Sequence, residues 1–184
     1  MSKGNWLGVW VDTETTGFDP HTGDRLLEVA CFVTDSDGNL LEPNGYHSVV
    51  QYAPEEVIDI KNNTVPYVLN MHETSGLWNK LPEGKPLNII EDELFNYISN
   101  IVGESKKGRL AGNSVRLDFN FLDYFLPKVT DYLHYRVIDV STLRAVADEW
   151  LEDFQYDKAT PHEALADIKL SINEYLLIKE ALGL

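Results

Sequence analysis

The sequence predicts an α/β fold, a mixed sheet flanked by helices, on three observations. Two β-branched, apolar runs near the amino end, WLGVWV (6–11) and RLLEVACFV (25–33), read as strands. The Asp-Gly turn signal of DSDGNL (35–40) then leads to a third strand around 46–52, completing a three-strand meander. Beyond it, helical periodicity takes over and strand-like segments return singly, each running into a helix, an order that lays helices on the faces of the sheet.

The elements follow in chain order. NIIEDELFNYISNIV (88–102) puts Ile90, Leu94, Ile98, Ile101 and Val102 on one helical face, with acids read as lying in its first turn near the positive end of the dipole. RLAGNS (109–114) is a short strand entering a helix through Phe119, Leu122 and Phe125 to a stop at Pro127. RVIDV (136–140) repeats the strand-to-helix step, and a last helix carries Leu165, Ile168, Ile172, Tyr175 and Leu176. Residues 53–87, with Pro54, Pro66, Pro82 and Pro86, show no clear pattern and are expected to be loop, functional or disordered. In such sheets active sites lie at strand ends.

At 184 residues and 43% hydrophobic content, the chain is expected to be a single domain, 1–184. No stretch approaches the ~18 apolar residues of a membrane span, and MSKGNW runs straight into the first strand without room for a signal peptide. The expectation is a cytoplasmic protein with no membrane partner. A lone cysteine, Cys31, in the apolar stretch VACFV, excludes an internal disulfide and a cysteine-rich zinc site. The net charge of −15 argues against holding a long polyanion, since that needs basic residues to displace counterions from many phosphates. A nucleic-acid substrate should therefore be short.

Against that background, GVWVDTETTGFDP (8–20) sets a strand built for burial against Asp12 and Glu14. Alternation puts both carboxylates on one strand face, with Cβ atoms about 7 Å apart. Unscreened they would repel and one would take up a proton, whereas a divalent cation prefers such oxygen ligands. Asp118, in NSVRLDFNF, reads by itself as a helix-start acid. In TPHEALADIKL, Thr160, Pro161 and Glu163 form a helix-start signature that puts His162 in the first turn. Asp167 follows five residues on, roughly 140° around and about 7.5 Å along the helix, so the two could approach one cleft from two sides but not chelate one ion.

Two acids on the first strand, a mid-chain Asp and a His-x4-Asp near the end, each closing a core element, resemble the DEDDh group of 3′-to-5′ exonucleases, of the ribonuclease H-like fold. Within it the likeness is to the branch acting on short RNA, carried by TGFDP, MHETSGL (71–77), AGNSVRLDFNFLDYFLP (111–127) and HYRVIDVSTL (134–143). The resemblance implies that Asp12, Glu14, Asp118 and Asp167 hold two divalent cations, Mg²⁺ or Mn²⁺, and that His162 is the general base. Such a pair, about 4 Å apart, activates the attacking water and stabilises the leaving 3′ oxygen. It also implies substrate contacts from Phe18, as an apolar wedge between bases, from Tyr67, where the family usually carries Trp, and from His72 in the same segment. Ser114, Arg136 and Ser141 would close around a 5′ phosphate, with Tyr135 supplied by the other subunit of a homodimer. The substrate implied is RNA of two to about five nucleotides. Two other readings fit the same acids: a proofreading-type DNA exonuclease, which should not need Arg136 and its neighbours, and a catalytically silent nucleic-acid-binding module.

Overall fold

A computed structural model describes residues 6–150 and 164–183. Its centre is a five-stranded sheet in the order β3-β2-β1-β4-β5. Strand β1 (Leu7–Thr15) pairs antiparallel with β2 (Leu26–Thr34), which pairs antiparallel with β3 (Tyr46–Val49), so the expected meander forms. On its other side β1 pairs parallel with β4 (Gly108–Gly112), and β4 pairs parallel with β5 (His134–Asp139). The carboxyl ends of β1, β4 and β5 therefore share one end of the sheet.

Alternation along β1 divides the core. Val9 and Val11 pack on one face, under α4 (Leu87–Val102), α5 (Arg116–Phe125) and α6 (Pro127–Tyr132). Trp10 packs on the other, with Ala30 and Phe32 of β2, under α7 (Val140–Trp150) and α8, described over Ala164–Ala181. Trp10 is 1% exposed and donates Nε1–H to Thr34 Oγ1 at 2.8 Å, which satisfies the polar end of a side chain whose burial contributes about 2–3 kcal/mol. The parity that points Trp10 at α8 carries on to Asp12 and Glu14, whereas Thr13 faces the α5 layer.

Two expectations need correction. The segment 53–87 is helical: α1 (Pro54–Asn63), α2 (Pro66–Thr74), the single turn α3 (Leu77–Lys80) and a 3₁₀ turn, Leu81–Glu83. Pro54 and Pro66 each stand at the start of a helix, where a missing N–H costs nothing; the prolines that obscured the pattern are its start signals. The helix over 88–102 begins at Leu87, so Glu91, Asp92 and Glu93 lie in its second turn rather than its first. There they bind neighbours instead of the dipole: Glu91 accepts from the Lys128 backbone N–H at 2.9 Å, Asp92 pairs with Lys128 Nζ at 2.7 Å, and Glu93 pairs with Lys85 Nζ at 2.8 Å. Pro127 ends α5 as expected but also opens α6.

Candidate active site

Asp12 and Glu14 sit where β1 leaves the core. One carboxylate oxygen each of Asp12, Glu14 and Asp167 lie within 4.8 Å of one another, all three side chains half-buried. The strand parity and the docking of α8 on that face through Ile168 and Ile172 bring Asp167 over the strand end. Asp118 reaches the same end from the opposite layer. It is 6% exposed, and its Oδ1 accepts from the Thr13 N–H at 2.9 Å and from Thr13 Oγ1 at 2.8 Å. Asp118 occupies the first turn of α5, so its reading as a helix-start acid and its place beside the cluster both hold.

Electrostatics make this a strained arrangement without a cation. Burial, then the Asp12 charge, then Glu28, Asp167 and Asp118, push the Glu14 carboxyl up to about 8. Burial and Asp12 push Asp118 up to about 8 as well, against the two Thr13 hydrogen bonds that favour its charged form. A bound divalent cation removes the repulsion, and the oxygen-only donor set suits Mg²⁺ or Mn²⁺. The residues present therefore fit the group.

A pH dependence follows. Glu14 has a folded pKa above its unfolded value, so between about 4.5 and about 8 the folded chain holds more protons and cation-free stability falls as pH rises. A cation must displace those protons, so its apparent affinity rises over the same window. Calorimetry at pH 6 and pH 8 should show tighter Mn²⁺ binding and a lower cation-free Tm at the higher pH; affinity that falls with pH would contradict this arrangement of acids.

Glu28 was not foreseen. It stands opposite Glu14 in the β1–β2 register, is 8% exposed and pairs with His47. The signal was present: an acid inside the apolar run RLLEVACFV is the same anomaly that marked Asp12. Glu28 and His47 line a cleft of about 710 Å³ beside the acids, together with Tyr67, Met71, Lys80 and Leu165.

The other expected residues are placed as follows. Phe18 is 76% exposed on the turn after β1. The Asp24 carboxylate pins that turn, accepting from the Asp19 N–H at 3.0 Å and from Thr16 Oγ1 at 3.4 Å. A Cβ on Gly17 would fall 2.3 Å from Asp24 Oδ2, so only glycine allows this close approach. Tyr67, also 76% exposed, opens α2 at the rim of the cleft. His72, expected as a substrate contact, is buried at 1% exposure, because α2 docks it on the end of β1. Its Nε2–H donates to the Thr15 carbonyl at 2.9 Å, its Nδ1 faces Glu14 Oε2 at 3.8 Å, and Trp78 lies edge-on at 5.4 Å. It supports Glu14 from behind.

Ser114 and Ser141 come together at the ends of β4 and β5, their Oγ atoms 3.2 Å apart. Ser114 is left-handed, φ +53°, and its N–H points at Asp139 Oδ1 (3.1 Å) and Ser141 Oγ (2.9 Å). Asp139 also accepts the Ser141 N–H at 3.0 Å, tying the two turns together. Arg136 and Tyr135 stand on the edge strand β5. Between Arg109↔His134 and Ala111↔Ile138, two steps along β4 match four along β5, and this bulge turns Tyr135, Arg136 and Val137 outward. Tyr135 is 80% exposed, and the Arg136 guanidinium lies 5.5 Å over its ring. His162, with Thr160, Pro161 and Glu163, lies outside the described residues.

A mixed sheet whose central strand ends in a carboxylate cluster facing a carboxyl-terminal helix defines a nuclease class, and the chain belongs to the exonuclease family, whose model matches residues 9–175. Within that family it belongs with the oligoribonucleases. It is 37% identical over 177 residues to the oligoribonuclease of Cutibacterium acnes, covering 95% of this chain and 85% of that one. It is 38% identical over 170 residues to a Mycobacterium oligoribonuclease, covering 90% and 76%. Identity to the mitochondrial oligoribonuclease of Saccharomyces cerevisiae is 38% over 176 residues, covering 89% and 63%. In fold the chain matches Escherichia coli exonuclease I, solved with a dA16 oligonucleotide, at a TM-score of 0.69 and 15% identity, over 95% of this chain and 41% of that one. The fold is thus the ribonuclease H-like one expected from the motifs.

Proposed function

We propose that this chain is a 3′-to-5′ exoribonuclease that hydrolyses RNA of two to about five nucleotides, dinucleotides especially, to nucleoside 5′-monophosphates. The observation that carries the reading is the convergence of Asp12, Glu14 and Asp167 within 4.8 Å at the end of a buried strand, with Asp118 held beside them. These four carboxylates would hold two divalent cations, Mg²⁺ or Mn²⁺. Cations in such a site lower the pKa of water and offset charge on a leaving oxygen.

The remaining roles fall to the chain's own side chains. His162, close before Asp167 in sequence, accepts the proton of the attacking water, which requires its neutral form. His72 and Glu28 fix the orientation and charge surroundings of Glu14. Phe18, held clear of the core by the Asp24 turn, separates the bases, and Tyr67 offers a face for stacking. Ser114 and Ser141 bind a terminal 5′ phosphate, with Arg136 supplying a fork of charge-assisted donors. Capping the 5′ end confines the site to short strands, in keeping with the −15 charge. The exposed edge strand β5 suits a homodimer in which Tyr135 completes the partner's site. Among the described residues no helix is long and apolar enough to cross a membrane. The likeness to bacterial oligoribonucleases supports a cytoplasmic location.

Short RNA labelled at its 5′ end, incubated with Mn²⁺, should shorten from the 3′ end and release monophosphates, and EDTA should stop it. No hydrolysis with either cation, together with no thermal stabilisation by them, would instead mark a silent nucleic-acid-binding module.

A further inference from the structure

Asn113 lies between β4 and the left-handed Ser114, and no role at the site has yet been given to it. Its side chain bonds in two directions. Toward the edge of the sheet, its Oδ1 accepts from Ser141 Oγ at 3.1 Å. Toward α8, its Nδ2 donates to Ser171 Oγ at 2.8 Å and to Glu174 Oε2 at 3.2 Å. Ser171 Oγ donates to the Asp167 carbonyl at 3.0 Å, one helical turn back. Glu174 is 3% exposed and is held on its other oxygen by Arg144 Nη1 at 3.1 Å. Such a half-buried row is fully satisfied, which makes it a stiff connection rather than an incidental one.

The chemistry of each neighbour fixes the direction of each proton. Carbonyl oxygens only accept, so the Ser141 hydroxyl proton is committed to Asn113 and the Ser171 proton to Asp167. Ser141 Oγ is thereby left as an acceptor, which takes the Ser114 N–H. At the 3.2 Å contact between the two serines, Ser114 is therefore the donor, and its hydroxyl is the one in this row able to turn toward an incoming anion. The orientation of the Asn113 amide sets this polarity. That amide is in turn oriented by Ser171 and Glu174 on the helix that carries Asp167.

We propose that Asn113 and Ser171 are positioning residues that tie the terminal-phosphate hydroxyls to the turn of α8 bearing Asp167, so that one amide side chain fixes the spacing between the two ends of the site. This rests on the reading that Ser114 and Ser141 bind the 5′ phosphate of the substrate. Without the link, a substrate anchored at its phosphate loses alignment with the acids, whereas one lacking that phosphate has nothing to lose.

The test compares kcat/KM for a 5′-phosphorylated diribonucleotide and its 5′-hydroxyl counterpart in the wild type, Ser171→Ala and Asn113→Ala. Ser171 touches neither serine of the phosphate end, and alanine suits a helix interior, so this variant should fold. Loss of one hydrogen bond in the row should cut the phosphate preference about fivefold in Ser171→Ala and at least as much in Asn113→Ala. The double variant should do no worse than Asn113→Ala, because the two act through one connection. A merely structural or local effect at Asp167 would lower both substrates equally and leave the preference intact, which overturns the inference while the phosphate reading stands. No phosphate preference in the wild type would remove the reading and the inference together. Should Asn113→Ala fail to fold, Ser171→Ala alone decides.

Discussion

Asp12→Ala is expected to lower kcat about a hundred- to a thousandfold at saturating Mg²⁺, the scale of losing a group that organises transition-state charge, while leaving the cation-free chain as stable as the wild type or more so. The two effects have one cause. Asp12 is, after burial, the largest contributor raising both Glu14 and Asp118. Removing it relieves repulsion in the cation-free fold, so Glu14 returns toward an ordinary carboxyl and the Tm at pH 8 rises. The same removal takes a ligand from the cluster of Asp12, Glu14 and Asp167, so Mn²⁺ no longer raises the Tm appreciably. Paired melting curves with and without Mn²⁺ and a turnover assay read all three quantities. A variant that loses activity through lost stability alone would contradict the role given to Asp12.

The second large effect is expected at Arg136. It stands on the bulge of β5, exposed and stacked on Tyr135, an orientation the sheet core does not require. Arg136→Ala should therefore fold normally. A charge-assisted pair to a terminal phosphate contributes about 1.5–3 kcal/mol, so kcat/KM for a 5′-phosphorylated dinucleotide should fall roughly 10- to 100-fold. A seven-nucleotide RNA, bound through more of its length, should lose much less. Arg136→Lys should recover only part, because an ammonium keeps the charge but not the fork. Equal losses on dinucleotide and heptamer would contradict the terminal-phosphate role.

Much of this was legible in the chain because burial and charge conflict at few places. Val9, Trp10 and Val11 demand a core, Asp12 and Glu14 do not belong in one, and the period of two puts both acids on the face that α8 covers. The meander followed from its apolar runs and the Asp-Gly turn signal, and the helix read over 88–102 followed from periodicity. What was missed depended on contacts distant in sequence. The short helices of 54–80 contribute few apolar residues each, Val57 and Ile60 from α1, Leu69 from α2, Leu77 and Trp78 from α3, to one small cluster around Leu27 and Leu81, too few for a clear period. His72 faces inward because α2 docks on Thr15, 57 residues earlier, a contact no local pattern announces. Asn113 falls at the end of what reads as a strand, and Ser171 and Glu174 lie between the apolar positions that mark the last helix, so nothing local joins them. Only the crossing of β4 with α8 makes them one row.

The most direct measurement is kcat/KM, with Mg²⁺ or Mn²⁺, for a 5′-phosphorylated diribonucleotide beside a seven-nucleotide RNA and a DNA of equal length. A strong preference for the dinucleotide is expected, since Ser114, Ser141 and Arg136 would bind the one end that short strands place within reach of the acids. Equal or better cleavage of the longer strands, DNA above all, would contradict it and make this a general exonuclease with the same carboxylate centre.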